Sequence, residues 1–162
     1  MAVETTTAGA EFARRFINVL CELQLQTGIY RRIEYLINVF GQEHPNLRAS
    51  YISREVDDSY LQGTEYPIEA LTRPRMQGLA VEGDCMYEFI AFHHGFRRDV
   101  VELHSICHIQ ETWLEPKPEE PFVLRVHIYH DVSAATVLLA TTGEAQDAAQ
   151  EFLTRIKYLR GW

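Results

Sequence analysis

Residues 86–94 read MYEFIAFHH, residues 100–110 read VVELHSICHIQ, and residues 122–130 read FVLRVHIYH. Apolar and polar side chains alternate in the second and third stretches, and a period of two is typical of strands that bury one face. Residues 134–141, AATVLLAT, form a further apolar stretch. Together with a strand beginning near residue 49, these stretches predict an antiparallel sheet of about four to six strands.

The connections between these strands are less regular. Gly95 with the Arg-Arg-Asp run at residues 97–99 predicts a hairpin turn, and the proline-rich residues 114–121 predict a stiff, charged connection. Residues 57–84 are rich in proline and glycine and offer a short helix at residues 67–71. A structureless loop of that length is unusual in a compact domain. We therefore expect either a strand near residues 78–82 or a functional lid there.

Apolar residues at helical spacing precede the sheet. The first set predicts a helix over residues 10–26 and consists of Phe12, Phe16, Val19, Leu20 and Leu23. The second set has the same spacing and consists of Ile29, Ile33, Leu36, Ile37 and Phe40. Thr27 and Gly28 mark a kink or break between the two sets, and Gly41 occupies the place of a C-terminal cap glycine. The cysteines Cys21, Cys85 and Cys107 are too widely spaced for a metal site, so we expect three reduced, apolar core residues.

A closing helix is predicted over residues 144–159, where Ala145, Ala149, Phe152 and Ile156 share one face. Residues 141–144, TTGE, match a capping box at its start. The chain therefore reads as one α+β domain over residues 1–162, with a flexible start at residues 1–8. We expect the N-terminal helical segment and the closing helix to pack on one face of the sheet.

Composition excludes several classes of protein. The 162 residues carry 15 Lys and Arg against 23 Asp and Glu, a formal net charge of −8, and 46% are apolar. An apolar content of this size builds a core, and an acidic balance argues against binding to duplex nucleic acid. No apolar stretch is long enough to span a membrane, and the N-terminus lacks the pattern of a secretory signal. We expect a cytoplasmic protein without a membrane partner.

One segment carries a family resemblance. Within residues 113–139, Arg125, Tyr129, His130 and Asp131 are followed by Ala135 and Val137, and residues 20–22 read Leu-Cys-Glu. These patches resemble the YqiB-like family of small uncharacterised bacterial proteins. The position of the family's glutamate is Thr136 here. The resemblance implies a helix, antiparallel sheet, helix order and carries no activity, substrate or cofactor.

Histidines supply the main candidate site. Six of the 7 histidines lie between residues 93 and 130. Strand alternation places His104 and His108 on one face of the second stretch, and it places Arg125, His127 and Tyr129 on one face of the third. Aligned strands would form a polar patch suited to proton transfer, anion binding or metal ligation. The alternative interpretation is the solvated face of a one-sided sheet, with no bound metal.

His130 and Asp131 suggest a catalytic dyad, in which a carboxylate orients an imidazole. Their position argues for a structural role, because Asp in a turn commonly accepts a backbone hydrogen bond two residues on. We expect a turn-locking Asp131 beside a His130 whose hydrogen bonds are satisfied.

Two functions remain open. Motifs for nucleotide phosphates, zinc proteases and serine hydrolases are absent from the sequence, so no cofactor is expected. We favour a non-catalytic protein-binding or regulatory module with an unidentified protein partner, and we expect a homodimer because aromatic strands leave an edge or face to cover. The alternative is a small-molecule or metal-dependent site, even an enzymatic one, on the histidine-bearing face.

Overall fold

A computed structural model describes residues 6–54, 75–92, 95–115, 122–131 and 134–162. The elements follow the order helix pair, seven strands, helix. They are α1 (Ala8–Glu22), α2 (Thr27–Glu43), β1 (Ala49–Ser53), β2 (Arg75–Glu82), β3 (Cys85–Phe92), β4 (Gly95–Glu102), a 3₁₀ turn (Leu103–Ser105), β5 (His108–Leu114), β6 (Val123–Tyr129), β7 (Ala135–Ala140) and α3 (Gly143–Arg160).

The predicted α+β class is confirmed, and every strand pair is antiparallel. The described strands form two sheets, one of four strands in the order β1-β2-β3-β4 and one of three in the order β5-β6-β7. The strand expected near residues 78–82 is β2. The helix expected at residues 67–71, and the lid over residues 57–74, lie outside the described residues.

The split into two sheets corrects the prediction that residues 100–110 form one strand. Leu103 and Ile106 are both buried, and their spacing of three residues suits a helical turn rather than a strand. The hydroxyl of Ser105 donates to the Glu102 carbonyl at 2.6 Å and closes this turn. The chain therefore leaves the first sheet after Glu102 and enters the second sheet at His108.

The predicted hairpin turn is also displaced. β3 ends at Phe92 and β4 begins at Gly95, so the run at residues 97–99 lies inside β4. In this register Asp99 lies opposite Glu88 of β3. The charged residues 97–99 therefore lie on strand β4 and not in a turn.

α1 begins and ends earlier than predicted, whereas α2 extends past the predicted cap at Gly41 to Glu43. α1 starts after Thr7, whose side chain accepts a hydrogen bond from the Ala10 amide at 3.0 Å. The chain breaks over residues 23–26, where Gln24 has a φ of 52°. Gly41 lies inside α2, which continues to Glu43, rather than capping it. A side chain does not fit at this position, because a Cβ there would lie 2.7 Å from the Gly9 carbonyl oxygen. The two glycines permit the helices to cross closely.

Both helices pack on one face of the four-stranded sheet. A cluster of phenylalanine rings fills this layer and consists of Phe12, Phe16, Phe40 and Phe89. Gly78 of β2 lies beneath it, since a Cβ there would lie 2.7 Å from the Phe16 ring. The apolar stripes of the helices are core, as their spacing predicts.

The opposite face of the same sheet packs against α3 and the three-stranded sheet. Its core combines residues from β1 to β4 with Leu124, Val126, Ile128, Leu138, Phe152, Leu153 and Ile156. The helices therefore cover opposite faces, which corrects the prediction of one shared face. α3 begins after Thr142, whose side chain accepts from the Ala145 amide at 3.1 Å, so the cap lies one residue later than the predicted capping box.

Two sequence-based expectations concern the surface. The three cysteines are free, but Cys21 and Cys107 are exposed and Cys85 is half-buried, so the expectation of core cysteines is wrong. Among the described helices, none combines the length and the apolar character that a membrane crossing requires.

α1 already begins at Ala8, within the segment expected to be flexible, and residues 1–5 lie outside the described residues.

Candidate functional site

The polar strand face forms on the three-stranded sheet. His108 lies opposite Tyr129, Gln110 opposite His127, and Thr112 opposite Arg125. The Tyr129 ring is nearly parallel to both imidazoles, at centroid distances of 5.9 Å from His108 and 5.6 Å from His127. The structure thus brings His108, Arg125, His127 and Tyr129 onto one face, as the alternation predicts.

His104 does not join this face. It lies in the 3₁₀ turn, its side chain is 74% exposed, and its Nε2 is 3.1 Å from the Glu102 carboxylate. The physical reason is the turn itself, which ends the alternation after Glu102. Within the described part of the chain, no three His, Cys, Asp or Glu side chains group closely enough to hold a metal ion.

His130 and Asp131 do not form a dyad. The Nε2 atom of His130 lies 3.3 Å from the Thr136 hydroxyl of β7, so this nitrogen is directed at a hydroxyl rather than at the Asp131 carboxylate. Burial lowers the pKa of His130, while the carboxylates of Asp131 and Asp99 act in the opposite direction. Burial therefore favours the neutral imidazole of His130.

Asp131 occupies the turn between β6 and β7. The amides of His130 and Asp131 both donate to the Ala134 carbonyl, at 3.1 and 3.3 Å. This position agrees with a turn residue rather than a catalytic carboxylate.

His127 and His130 both line a cleft between the two sheets. The cleft has a volume of about 890 Å³, and β3 and β4 form one wall while β6 and β7 form the other. Its polar lining consists of Glu88, Arg97, Asp99, Glu102, Ser105, His127, His130 and Thr136. A cavity of this size lies in the range that holds small molecules.

Glu88 is the most buried charged group of this lining, with 2% of its surface exposed. The amide of Gln77 donates to the Glu88 carboxylate at 2.8 Å and to the Val137 carbonyl at 2.9 Å. Gln77 is fully buried, so the amide fixes the carboxylate and also ties the first sheet to an edge strand of the second. A buried carboxylate held in this way is preorganised for a ligand.

Asp99 adds a second carboxylate beside Glu88, since the two residues lie opposite each other on neighbouring strands. Arg97 donates from Nε to the Asp99 carboxylate at 2.7 Å. Among the described residues, the lining holds three carboxylates and one guanidinium, so this part of the cleft is net negative when its histidines are neutral. Such a site favours cations and hydrogen-bond donors.

Sequence reasoning missed Glu88, Arg97 and Asp99. The sequence pattern predicts a turn at residues 97–99, so Arg97 and Asp99 are not expected on the sheet. Glu88 lies within a stretch that the pattern predicts to be an apolar strand. One signal was present: a carboxylate in the middle of MYEFIAF is costly to bury unless it has partners.

Comparison of the chain with known protein families, with curated proteins and with solved structures finds no match. The resemblance to the YqiB-like family therefore stays a prediction, and the site is interpreted from its own chemistry.

Proposed function

We propose that the protein is a non-catalytic regulatory module that binds a small organic cation, an amine or a guanidinium, in the cleft between its sheets. The observation that carries the proposal is Glu88, a nearly fully buried carboxylate in the wall of an open cleft. The Gln77 amide holds this carboxylate at 2.8 Å beside the opening, so an amine or guanidinium that enters the cleft can add a charge-assisted hydrogen bond to it.

The electrostatics of the cleft support a cation over an anion. Asp99 and Glu102 add negative charge to Glu88, and Arg97, the guanidinium that the described residues contribute to the lining, contacts Asp99. Burial lowers the pKa of His130 and so favours its neutral imidazole. Among the described lining residues, Glu88, Asp99 and Glu102 are the carboxylates that a ligand cation meets.

The nucleophile chemistry of the cleft supports binding without catalysis. The Ser105 hydroxyl donates to a backbone carbonyl, and Cys85 makes no hydrogen bond with any other described residue. An activated nucleophile needs a general base within hydrogen-bond reach. The carboxylates of the cleft, without a described nucleophile and base in contact, support the proposal of binding without catalysis.

The position of the cleft supports a regulatory role. One wall belongs to β3 and β4 and the other to β6 and β7, so a bound ligand contacts both sheets. Ligand binding then stabilises one arrangement of the two sheets over others. A partner that recognises this arrangement would respond to the ligand.

Calorimetric titration with agmatine, putrescine and neutral n-butanol tests the proposal. We expect the two cations to bind and the alcohol not to bind. The variants Glu88→Gln and Asp99→Asn should weaken cation binding by about tenfold or more, the scale of a lost hydrogen bond to a charged group. Glu43→Gln, at the exposed end of α2, is the matched control. Equal affinities in all three variants would refute the proposal.

A second candidate, contact with a protein partner or a second copy, has its own observation. Trp113 and Phe122 are 50% and 55% exposed, and β5, which carries Trp113, pairs only with β6 among the described strands. An exposed aromatic pair beside an open strand edge favours protein contact. Light scattering at tens of micromolar should give about twice the chain mass of 18.7 kDa, and Trp113→Lys should return it to that value.

A further inference from the structure

A second groove, of about 650 Å³, lies beside β1, the edge strand of the four-stranded sheet, and is separate from the cleft. Three arginines reach it from three different parts of the fold. Arg15 belongs to α1, Arg48 lies just before β1, and Arg155 belongs to α3. One carboxylate, Glu151, also lines the groove, so its charge is positive in a chain with a net charge of −8.

These three guanidiniums are not held by side-chain hydrogen bonds among the described residues, although the charge of Arg15 helps to lower the pKa of Glu11. Arg15, Arg48 and Arg155 make no side-chain hydrogen bond and no ion pair with other described residues. Nearby arginines behave differently. Arg54 donates from Nη2 to Glu22 at 2.6 Å, and Arg14 pairs with Glu11. The guanidiniums of Arg14 and Arg54 are thus held by carboxylates. The groove arginines have no such hydrogen bond among the described residues, so a ligand can bind them.

The groove also has aromatic walls. Tyr158 lies one helical turn after Arg155 on α3 and is 68% exposed, while Phe152 and Tyr51 form buried parts of the lining. An exposed ring beside guanidiniums suits a planar ligand, because rings stack on tyrosine and guanidiniums bind phosphate in a bidentate manner. The arrangement combines an anion site with a stacking surface.

We propose that this groove binds a small phosphate ester that carries a planar ring, of the nucleoside monophosphate class. A phosphate ester of this kind carries a charge of about −1.5 to −2 at pH 7, which complements three guanidiniums and one carboxylate. The groove volume lies in the range of small-molecule sites. The binding is independent of the cation proposed for the cleft.

Calorimetric titration of the intact protein with AMP, adenosine and inorganic phosphate tests the proposal. AMP should bind at least about tenfold more tightly than either of the other two, since only AMP satisfies both the guanidiniums and the ring. Binding should weaken as salt is raised from about 50 to 300 mM, because the arginines are exposed. Benzoate, a planar carboxylate, should bind more weakly than AMP.

Variants separate the two halves of the groove. Arg48→Gln and Arg155→Gln should each weaken AMP binding about tenfold. Tyr158→Leu should reduce the preference for AMP over inorganic phosphate. Arg31→Gln, an exposed arginine of α2 outside the groove, removes the same charge and is the matched control. Glu88→Gln should leave AMP binding unchanged and so distinguishes this groove from the cleft.

Three results would overturn the proposal: no AMP binding by the wild-type protein, equal affinities for AMP and adenosine, or equal losses in Arg31→Gln and Arg155→Gln. If AMP and inorganic phosphate bind equally and Tyr158→Leu has no effect, the ligand class is wrong. Melting temperatures of all variants verify that each is folded; the side chains of Arg31, Arg48, Arg155 and Tyr158 are exposed, so we expect the melting temperature to change little in those four variants.

Discussion

The two faces of the four-stranded sheet differ in what they bury. The face under α1 and α2 is covered by phenylalanine rings, and the opposite face passes from an apolar core to a polar cleft. Glu88 and Phe89 show the contrast within two residues, since they are neighbours in β3 and point to opposite faces. The first face stabilises the fold through apolar packing, and the second carries the charged side chains that line the cleft.

Phe89→Ala tests the scaffold face and should have the largest effect. The Phe89 ring packs against Phe40 at 4.8 Å and against Phe12 and Phe16 at 6.1 and 6.2 Å. Its removal should lower the free energy of unfolding by about 3–5 kcal/mol. Denaturant unfolding measures the loss. Phe122→Ala, at an exposed ring, should cost below about 0.5 kcal/mol, and similar losses in both variants would contradict the contrast.

Gln77→Ala tests the polar face. The substitution removes the amide that donates to both Glu88 and the Val137 carbonyl, and buried acceptors without donors are costly. The free energy of unfolding should fall by about 2 kcal/mol. Gln42→Ala, on the exposed side of α2, is the control and should change stability by less than about 0.5 kcal/mol. An unchanged stability in Gln77→Ala would show that the amide does not hold the carboxylate.

Asp131→Ala tests the turn that carries the cleft rim. If Asp131 fixes the turn after His130, its loss should lower the free energy of unfolding by about 0.5–2 kcal/mol without removing ligand binding. Thermal unfolding and cation titration measure the two effects. An unchanged melting temperature with abolished binding would indicate a direct role at the site.

His130→Gln tests the pH response of the cleft and has the smallest expected effect. Burial holds the folded-state pKa of His130 below its ordinary value of 6.5, so the unfolded chain takes up the proton first as pH falls. The wild-type protein should lose stability as pH drops from about 6.5 through the folded pKa, and the variant should lose less. His108→Gln, at an exposed histidine, is the control. Identical pH slopes in wild type and His130→Gln would contradict this account.

The candidate site was predictable in part. Alternation along residues 122–130 placed Arg125, His127 and Tyr129 together, because β6 is a regular strand with one buried face. The same rule failed for His104, because Leu103 and Ile106 enter the core through a helical turn. Glu88 and Asp99 meet only through the register of β3 and β4, which no local pattern specifies.

Periodicity of two or 3.6 residues is a local property of the chain, so the α+β class, most strand positions and the apolar stripes of the helices could be predicted without a structure. Long-range packing places the helices on opposite faces, divides the described strands into two sheets, and brings Arg15, Arg48 and Arg155 around one groove. These arrangements join residues far apart in sequence, and they depend on which apolar faces pack together rather than on any local pattern.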